Sequence, residues 1–271
     1  MLITGATGGL GRELARQLAA AGCSVLLHGR DERKLARVAS EVQGQSDVEV
    51  KTFVADLASL DDVTRLAGEV QESVPRLDAL VNNAGVGSGA DPSKREESAD
   101  GIELRMAVNH LAPFSLSLQL MPLLHGSGTA RIVNVASAGQ APFDFSDPAF
   151  EQGYDGSAAY GRAKLAMISC GFELVERLGD SPITVNSLHP ATYMPTRMVS
   201  DAGIEPHDSL ETGADATLRL ISSADLEGVT GEYFVRTKPA RAHQQAYDAD
   251  ARSRLWDFSV EQIGVDLQIP G

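Results

Sequence analysis

Tyr160 and Lys164 stand four residues apart in the segment Tyr160-Gly-Arg-Ala-Lys164. On a helix that spacing puts both side chains on one face, one turn apart. A phenol titrates near ~10, too high for an efficient base at neutral pH. A neighbouring ammonium favours the phenolate and lowers that value. Such a pair can move a proton to or from an oxygen whose charge changes during a reaction. Alone, Tyr-x-x-x-Lys is an ordinary exposed helix pair. Its weight comes from what accompanies it.

A second chemistry-bearing segment opens the chain. Thr4-Gly-Ala-Thr-Gly-Gly-Leu-Gly11 follows the apolar residues Leu2 and Ile3 and presents Gly5, Gly9 and Gly11. Glycines let a backbone turn tightly and approach a pyrophosphate lying on the next helix N-terminus. In isolation this is a plain strand-to-helix turn. At the head of a strand–helix series it is a dinucleotide-binding turn. In such folds an acid closing the second strand bonds the ribose 2′-hydroxyl. Here Gly29 holds that place, Arg30 follows, and Asp31 falls one place late, where it starts a helix. Arg30 can grip a 2′-phosphate with two nitrogens and stack on adenine, and Arg12, at the start of the first helix, is placed to help. NADP(H) is therefore the expected cofactor, with NAD(H) as the alternative.

These segments need elements to position them. Hydrophobic periodicity predicts strands over 2–4, 25–28, 48–54, 77–81, 131–135, 183–188 and 231–235. It predicts helices over 9–21, 31–42, 59–74, 99–124 and 158–178, with a polar loop at 87–97. Ser59 caps one helix and Pro75 ends it. Leu10, Leu14 and Leu18 form one face of the first helix. Strands alternating with helices imply βαβ units with right-handed crossovers. The expected fold class is α/β: a single Rossmann-type, doubly wound parallel sheet with helices on both faces. No linker or repeat divides the chain, so residues 1–271 are expected to form one dinucleotide-binding and catalytic domain. Ligands in such sheets bind beyond the carboxyl ends of the strands.

Composition narrows the partners. At 43% hydrophobic and 22% charged, the chain is unlike a disordered one. A net charge of −14 repels phosphate backbones and anionic lipid, so neither nucleic acid nor a membrane surface is an expected partner. No apolar run approaches the roughly 20 residues of a membrane span. No signal-peptide pattern opens the sequence, and a cytoplasmic location is expected. Cys23 and Cys170 sit in apolar contexts and read as buried free thiols. No metal site is expected.

The motifs together resemble the classical short-chain dehydrogenase/reductase family over essentially the whole chain. They are the turn at 4–11, Asp56-Leu57, Asn82-Asn83-Ala84-Gly85, Asn109, Ser137 and the Tyr160–Lys164 pair. Ala107-Val-Asn-His-Leu-Ala-Pro-Phe114, the insertion Phe-Asp-Phe-Ser-Asp-Pro before Tyr160, and the tail Gly-Glu-Tyr-Phe…Ala-Arg-Ser-Arg-Leu-Trp-Asp-Phe-Ser resemble the retinol-dehydrogenase-like branch.

The resemblance implies a small, often hydrophobic alcohol or ketone substrate. It implies Tyr160 as general acid/base, Lys164 on the nicotinamide ribose, Ser137 as donor to the substrate oxygen, and Asn109 holding a relay water. Cofactor contacts would come from Gly5, Thr7, Gly9, Leu10, Gly11, Arg30, Asp56, Leu57, Asn83, Ala84, Gly85, Tyr160, Lys164, Pro190 and Thr192, with Asn82 beside them. Where the family often has Pro-Gly, this chain has Pro190-Ala191. Ser146 and Ser157 are weaker alternatives to Ser137. His189 reads as structural rather than as a base.

Segments 140–145 and 191–200 and Tyr154 should surround the nicotinamide, with Tyr193, Met194 and Met198 as an apolar wall. Leu116, Leu118, Leu120, Met167, Ile168 and Phe172 suggest uncovered helix faces, and so a homodimer or homotetramer. The competing reading is a non-catalytic dinucleotide sensor on the same fold. A sensor has no reason to keep Asn109, Ser137, Tyr160 and Lys164 together.

Overall fold

The computed structural model describes residues 1–264. The tail of the expected 1–271 domain, residues 265–271, lies outside them. Strand β1 (Leu2–Ile3) turns into α1 (Gly9–Ala20). Then follow β2 (Val25–Gly29), α2 (Glu32–Gln43), β3 (Val50–Val54), α3 (Leu60–Ser73) and β4 (Ala79–Asn82). After a long loop come α4 (Leu104–Met106), a π-helical segment (Ala107–Leu111), α5 (Ala112–Gln119) and α6 (Met121–His125). The remainder is β5 (Arg131–Val135), α7 (Gly156–Leu178), β6 (Thr184–His189), α8 (Arg197–Asp201), α9 (Leu210–Ser222), β7 (Tyr233–Val235), β8 (Lys238–Ala240) and α10 (Ala249–Ile263).

Among the described residues the strands form one sheet in the order β3-β2-β1-β4-β5-β6-β7-β8. Every pairing is parallel except the β7–β8 hairpin at one edge. This is the expected doubly wound Rossmann-type α/β fold. The order reverses between β1 and β4, which opens a crevice at their carboxyl ends. Strand β1 is short but central, and Leu2 and Ile3 are fully buried between β2 and β4. Helices α1, α2 and α9 pack one core on one face, with Leu10, Leu14 and Leu18 buried in it. Helices α3, α5, α7 and α10 pack a second core on the other face. Capping sets the helix starts: Asp31 accepts from Lys34 N at 3.0 Å, Ser59 from Asp62 N at 3.3 Å, and Asp155 from Ala158 N at 2.7 Å.

Two expectations are corrected here. The helix predicted over 99–124 begins only at Leu104, loosens into the π-helical segment, and breaks at Leu120 ahead of Pro122. Proline removes a donor and clashes with the preceding turn. The uncovered helix faces are also absent. Leu116, Leu118, Leu120, Met167, Ile168 and Phe172 are all buried within the chain. Part of that cover is α10, a helix the periodicity reading did not identify. Its Trp256 meets Phe114 edge-on at 4.8 Å, with Arg177 stacked over the indole at 4.4 Å. No helix among the described residues is long and apolar enough to cross a membrane.

Candidate active site

The glycine-rich turn is fastened to its neighbours by backbone atoms. Gly5 N donates to His28 Nδ1 at 3.3 Å and Ala6 N to His28 O at 2.8 Å. The His28 ring, its Nδ1 thus occupied as acceptor, donates through Nε2 to Ala55 O at 3.1 Å. Burial holds this imidazole below its ordinary pKa, hence neutral. From the other side, Thr4 Oγ1 accepts from Asn83 N at 2.9 Å and Ala84 N at 3.0 Å, while Asn83 Nδ2 donates to Thr4 O at 2.8 Å. Gly5 has φ +69° and Gly9 φ +52°. A Cβ on Gly5 would lie 2.9 Å from Ala84 Cα, and one on Gly11 would overlap Gly5 O.

Helix α1 starts after Gly8 with no side-chain cap and no acid in its first turn. Its leading N–H groups have no side-chain acceptor, and the turn offers glycine where backbone must come close. Both features fit a dinucleotide pyrophosphate. Arg30 is exposed at the end of β2. Arg12, expected to help it, is instead engaged by Glu41 at 2.6 Å.

At the ends of β4 and β5 the polar candidates converge. Asn109 is fully buried in the π-helical segment and grips Val86 twice, accepting from its N at 2.8 Å and donating to its O at 3.0 Å. Segments of this type recur at functional positions. A Cβ on Gly85 would meet Asn109 Oδ1 at 3.1 Å and Lys164 Nζ at 3.6 Å, so these three adjoin. Lys164 Nζ donates to Val135 O at 2.7 Å and sits 5.9 Å from the Tyr160 ring centre. Ser137 holds its hydroxyl toward Tyr160. Its carbonyl accepts from Tyr233 Oη and from Gln140 Nε2, both at 2.9 Å.

The family model for short chain dehydrogenases matches residues 1–206. Retinol dehydrogenase 14 of Mus musculus is 34% identical over 290 residues, covering 98% of this chain and 86% of that protein. The chain belongs to the short-chain dehydrogenase family. It is an oxidoreductase of that family. An uncharacterized protein from Mycobacterium paratuberculosis superposes with a TM-score of 0.80 at 29% identity, over 98% of this chain and 94% of that one. The Pseudomonas aeruginosa RhlG/NADP active-site complex superposes at 0.70 and 30% identity, over 86% and 93%.

Within this dehydrogenase the electrostatics differ from the simple expectation. Burial pushes the Tyr160 phenol up, with the Ser137 hydroxyl acting against it. The Lys164 ammonium donates to Val135 O and stands over the Tyr160 ring. Burial brings Lys164 itself down to about 8.

Other expected residues divide between the crevice and the core. Thr7 faces Gly29, and Leu10 and Leu57 are buried. Asp56 is exposed, and its carboxylate accepts from Ala58 N at 3.0 Å, a local turn contact. Asn82 is buried and bridges Asn134 at 2.9 Å and Ser117 at 3.2 Å, away from the crevice. Pro190 is buried at the end of β6. Thr192 Oγ1 bonds His189 Nε2 at 3.2 Å, and its N–H donates to Asp208 Oδ2 at 2.7 Å. Burial lowers His189, and the ring serves that local contact. Ser146 and Ser157 are exposed, and Ser146 bonds Asp144.

The expected substrate wall is partly dismantled. Met194 packs onto Gly213 and Leu10, and Tyr154 is held by Glu103 at 2.9 Å and Arg105 at 3.1 Å. Phe143 is buried among Phe145, Phe150 and Phe258. Met198 remains, where a Cβ on Gly87 would stand 2.9 Å from its Cγ. Sequence reasoning did not single out Thr196, whose Cγ2 would lie 3.0 Å from a Cβ on Gly9, so it reaches the glycine-rich turn. It also overlooked His28 and Tyr233, whose only signal in sequence is a polar residue inside an apolar strand.

Proposed function

We propose that residues 1–271 act as one unit that reduces a small, hydrophobic ketone, or oxidises the matching alcohol, with NADP(H). The observation that carries this is the meeting of Ser137, Tyr160, Lys164 and Asn109 beside Gly85, at the strand ends where the glycine-rich turn also opens. The turn at 4–11, with Asn83, Ala84, Gly85, Arg30 and Thr196, would hold the dinucleotide. When bound, its nicotinamide supplies or removes the hydride. Ser137 Oγ donates to the substrate oxygen and orients it. Tyr160 Oη gives that oxygen a proton. Burial keeps this phenol protonated, the form that gives up a proton in the reductive direction. Lys164, an ammonium at neutral pH, would support the phenol and hold the ribose of a bound dinucleotide. Asn109 braces residue 86 and so the floor under Lys164.

Exposed Arg30 and the lack of an acid at position 29 support NADP(H) over NAD(H). Asp31, the nearest acid, is engaged as the cap of α2. The hydrophobic substrate class extends the likeness to retinol dehydrogenase 14 and the placement of Met198 near Gly87. A homodimer or homotetramer rests on family resemblance, and light scattering tests the assembly. The activity is tested by incubating the protein with NADPH and a panel of hydrophobic ketones, and with NADP and the alcohols. Turnover of at least one pair is expected. Tight NADPH binding with no turnover across the panel points to the sensor instead.

A further inference from the structure

Position 29 ends β2, where a dinucleotide-binding chain selects between cofactors. Its neighbour across the crevice is Thr7, in the middle of the glycine-rich turn. A Cβ built on Gly29 would overlap Thr7 Cγ2, while Thr7 Cβ and Leu35 Cδ1 would stand at an ordinary 3.6 Å. One methyl group therefore accounts for the obstruction.

The backbone that carries Thr7 has little freedom to retreat. The two residues before it are tied to His28: Gly5 N to the ring at 3.3 Å, and Ala6 N to the carbonyl at 2.8 Å. The ring is itself anchored on Ala55 O. His28 directly precedes Gly29, so the turn and the strand end are laced together one residue from the contact. Gly29 is buried and has an ordinary backbone conformation, so it is not glycine for the sake of its φ. It is glycine because Thr7 occupies the space of a side chain.

We infer that Thr7, held against the end of β2 by His28, is a specificity-determining residue that reserves position 29 for glycine and so bars the carboxylate that would select NAD(H). The inference rests on the dinucleotide reading proposed above. It adds that cofactor choice is enforced by steric exclusion at position 29, beyond the attraction of Arg30 for a 2′-phosphate. Changing position 29 alone cannot convert the preference. The methyl must go first.

The test is a cycle of full-length variants: Gly29→Asp, Thr7→Ser and the double variant, with NADH and NADPH affinities measured by fluorescence titration. Serine keeps the hydroxyl and removes only Cγ2. The single Gly29→Asp protein should bind both cofactors poorly. The double variant should bind NADH about ten-fold or more tightly than the single one, the scale of one well-made charged hydrogen bond. Equal NADH affinity in the single and double variants overturns the inference.

Should Gly29→Asp fail to fold, Gly29→Ala and Thr7→Ser/Gly29→Ala decide the matter by melting temperature. Alanine alone should lower Tm by about 3–6 °C, the scale of an overpacked contact in a protein of this size. The added serine should recover most of that loss, and no recovery overturns the inference. A wild type that prefers NADH would sink the NADP(H) reading. The coupling between 7 and 29 would still be decided by these melting temperatures.

Discussion

The turn at 4–11 and the segment at 192–208 meet at Gly9 and Thr196, yet they are held in opposite ways. The turn is fixed along its length by backbone donors and acceptors, to His28 on one side and Thr4, Asn83 and Ala84 on the other. The segment is fixed mainly at its ends. Thr192 O accepts from Asp208 N at 3.0 Å, and Asp208 Oδ2 accepts from Thr192 N at 2.7 Å and Arg236 at 2.6 Å. Between these ends Tyr193 is 50% exposed with φ +46°, and Ile204 is also exposed. The difference would suit the two tasks proposed above. A cofactor has one shape, and a rigid backbone cradle suits it. Substrates vary, and a segment latched by side chains can vary with them.

That contrast can be broken most severely in the cradle. Gly11→Ala places a Cβ into Gly5 O and within 2.6 Å of Asn83 Nδ2. Overpacking of this kind costs about 1–3 kcal/mol, so NADPH affinity should fall roughly ten- to hundred-fold. Isothermal titration checks it, and unchanged affinity would mean the turn is not the cofactor's seat.

A smaller effect is expected in the segment. Asp208→Ala removes the latch, and KM for a substrate should rise about five-fold, the upper range for such an ion pair. NADPH affinity should hold within about two-fold, because the cradle is untouched. Equal losses in both constants would show that the two regions are not separable.

Acid should distinguish them more gently. His28 in the cradle sits below its ordinary pKa of 6.5, and His110 at the π-helical segment is brought down to about 3, both by burial. Each must stay neutral in the fold. Their contribution is therefore whole above pH 6.5 and is lost as pH falls toward the folded values, by at most about 1.4 kcal/mol per pH unit for each group. Asp208, brought down to about 2 by the Thr192 N–H, stays charged throughout that window. Titrated from pH 7.5 to about 5, the protein should lose Tm and NADPH affinity while the latch persists. His110→Gln should flatten the Tm slope. A slope unchanged by that substitution would assign the acid sensitivity elsewhere.

The same contrast governs what could be read from the sequence. The doubly wound sheet and the crevice residues of the cradle were legible, because glycines and apolar runs report backbone requirements directly. Asn109, Ser137, Tyr160 and Lys164 were legible as a set, and they adjoin. Thr196 was not singled out, because the path of the 192–208 segment depends on Met194 packing onto Gly213, which no spacing rule encodes. The uncovered helix faces were misjudged because α10 arrives from residues 249–263, far along the chain. Helical spacing gave the proximity of Tyr160 and Lys164, while the bond to Val135 O that aims the ammonium is a tertiary contact that no spacing rule encodes.

The central claim is that Tyr160 moves the proton. Its most direct test compares Tyr160→Phe with Lys164→Ala, measuring steady-state turnover on a working substrate and NADPH affinity for each. Phenylalanine keeps the ring and its packing but has no proton to give. Turnover should fall roughly 10²-fold or more, the scale of general acid–base catalysis, with NADPH affinity retained. Lys164→Ala should lose turnover and weaken NADPH binding as well. Near-full turnover by Tyr160→Phe would contradict the account and move the catalytic group elsewhere.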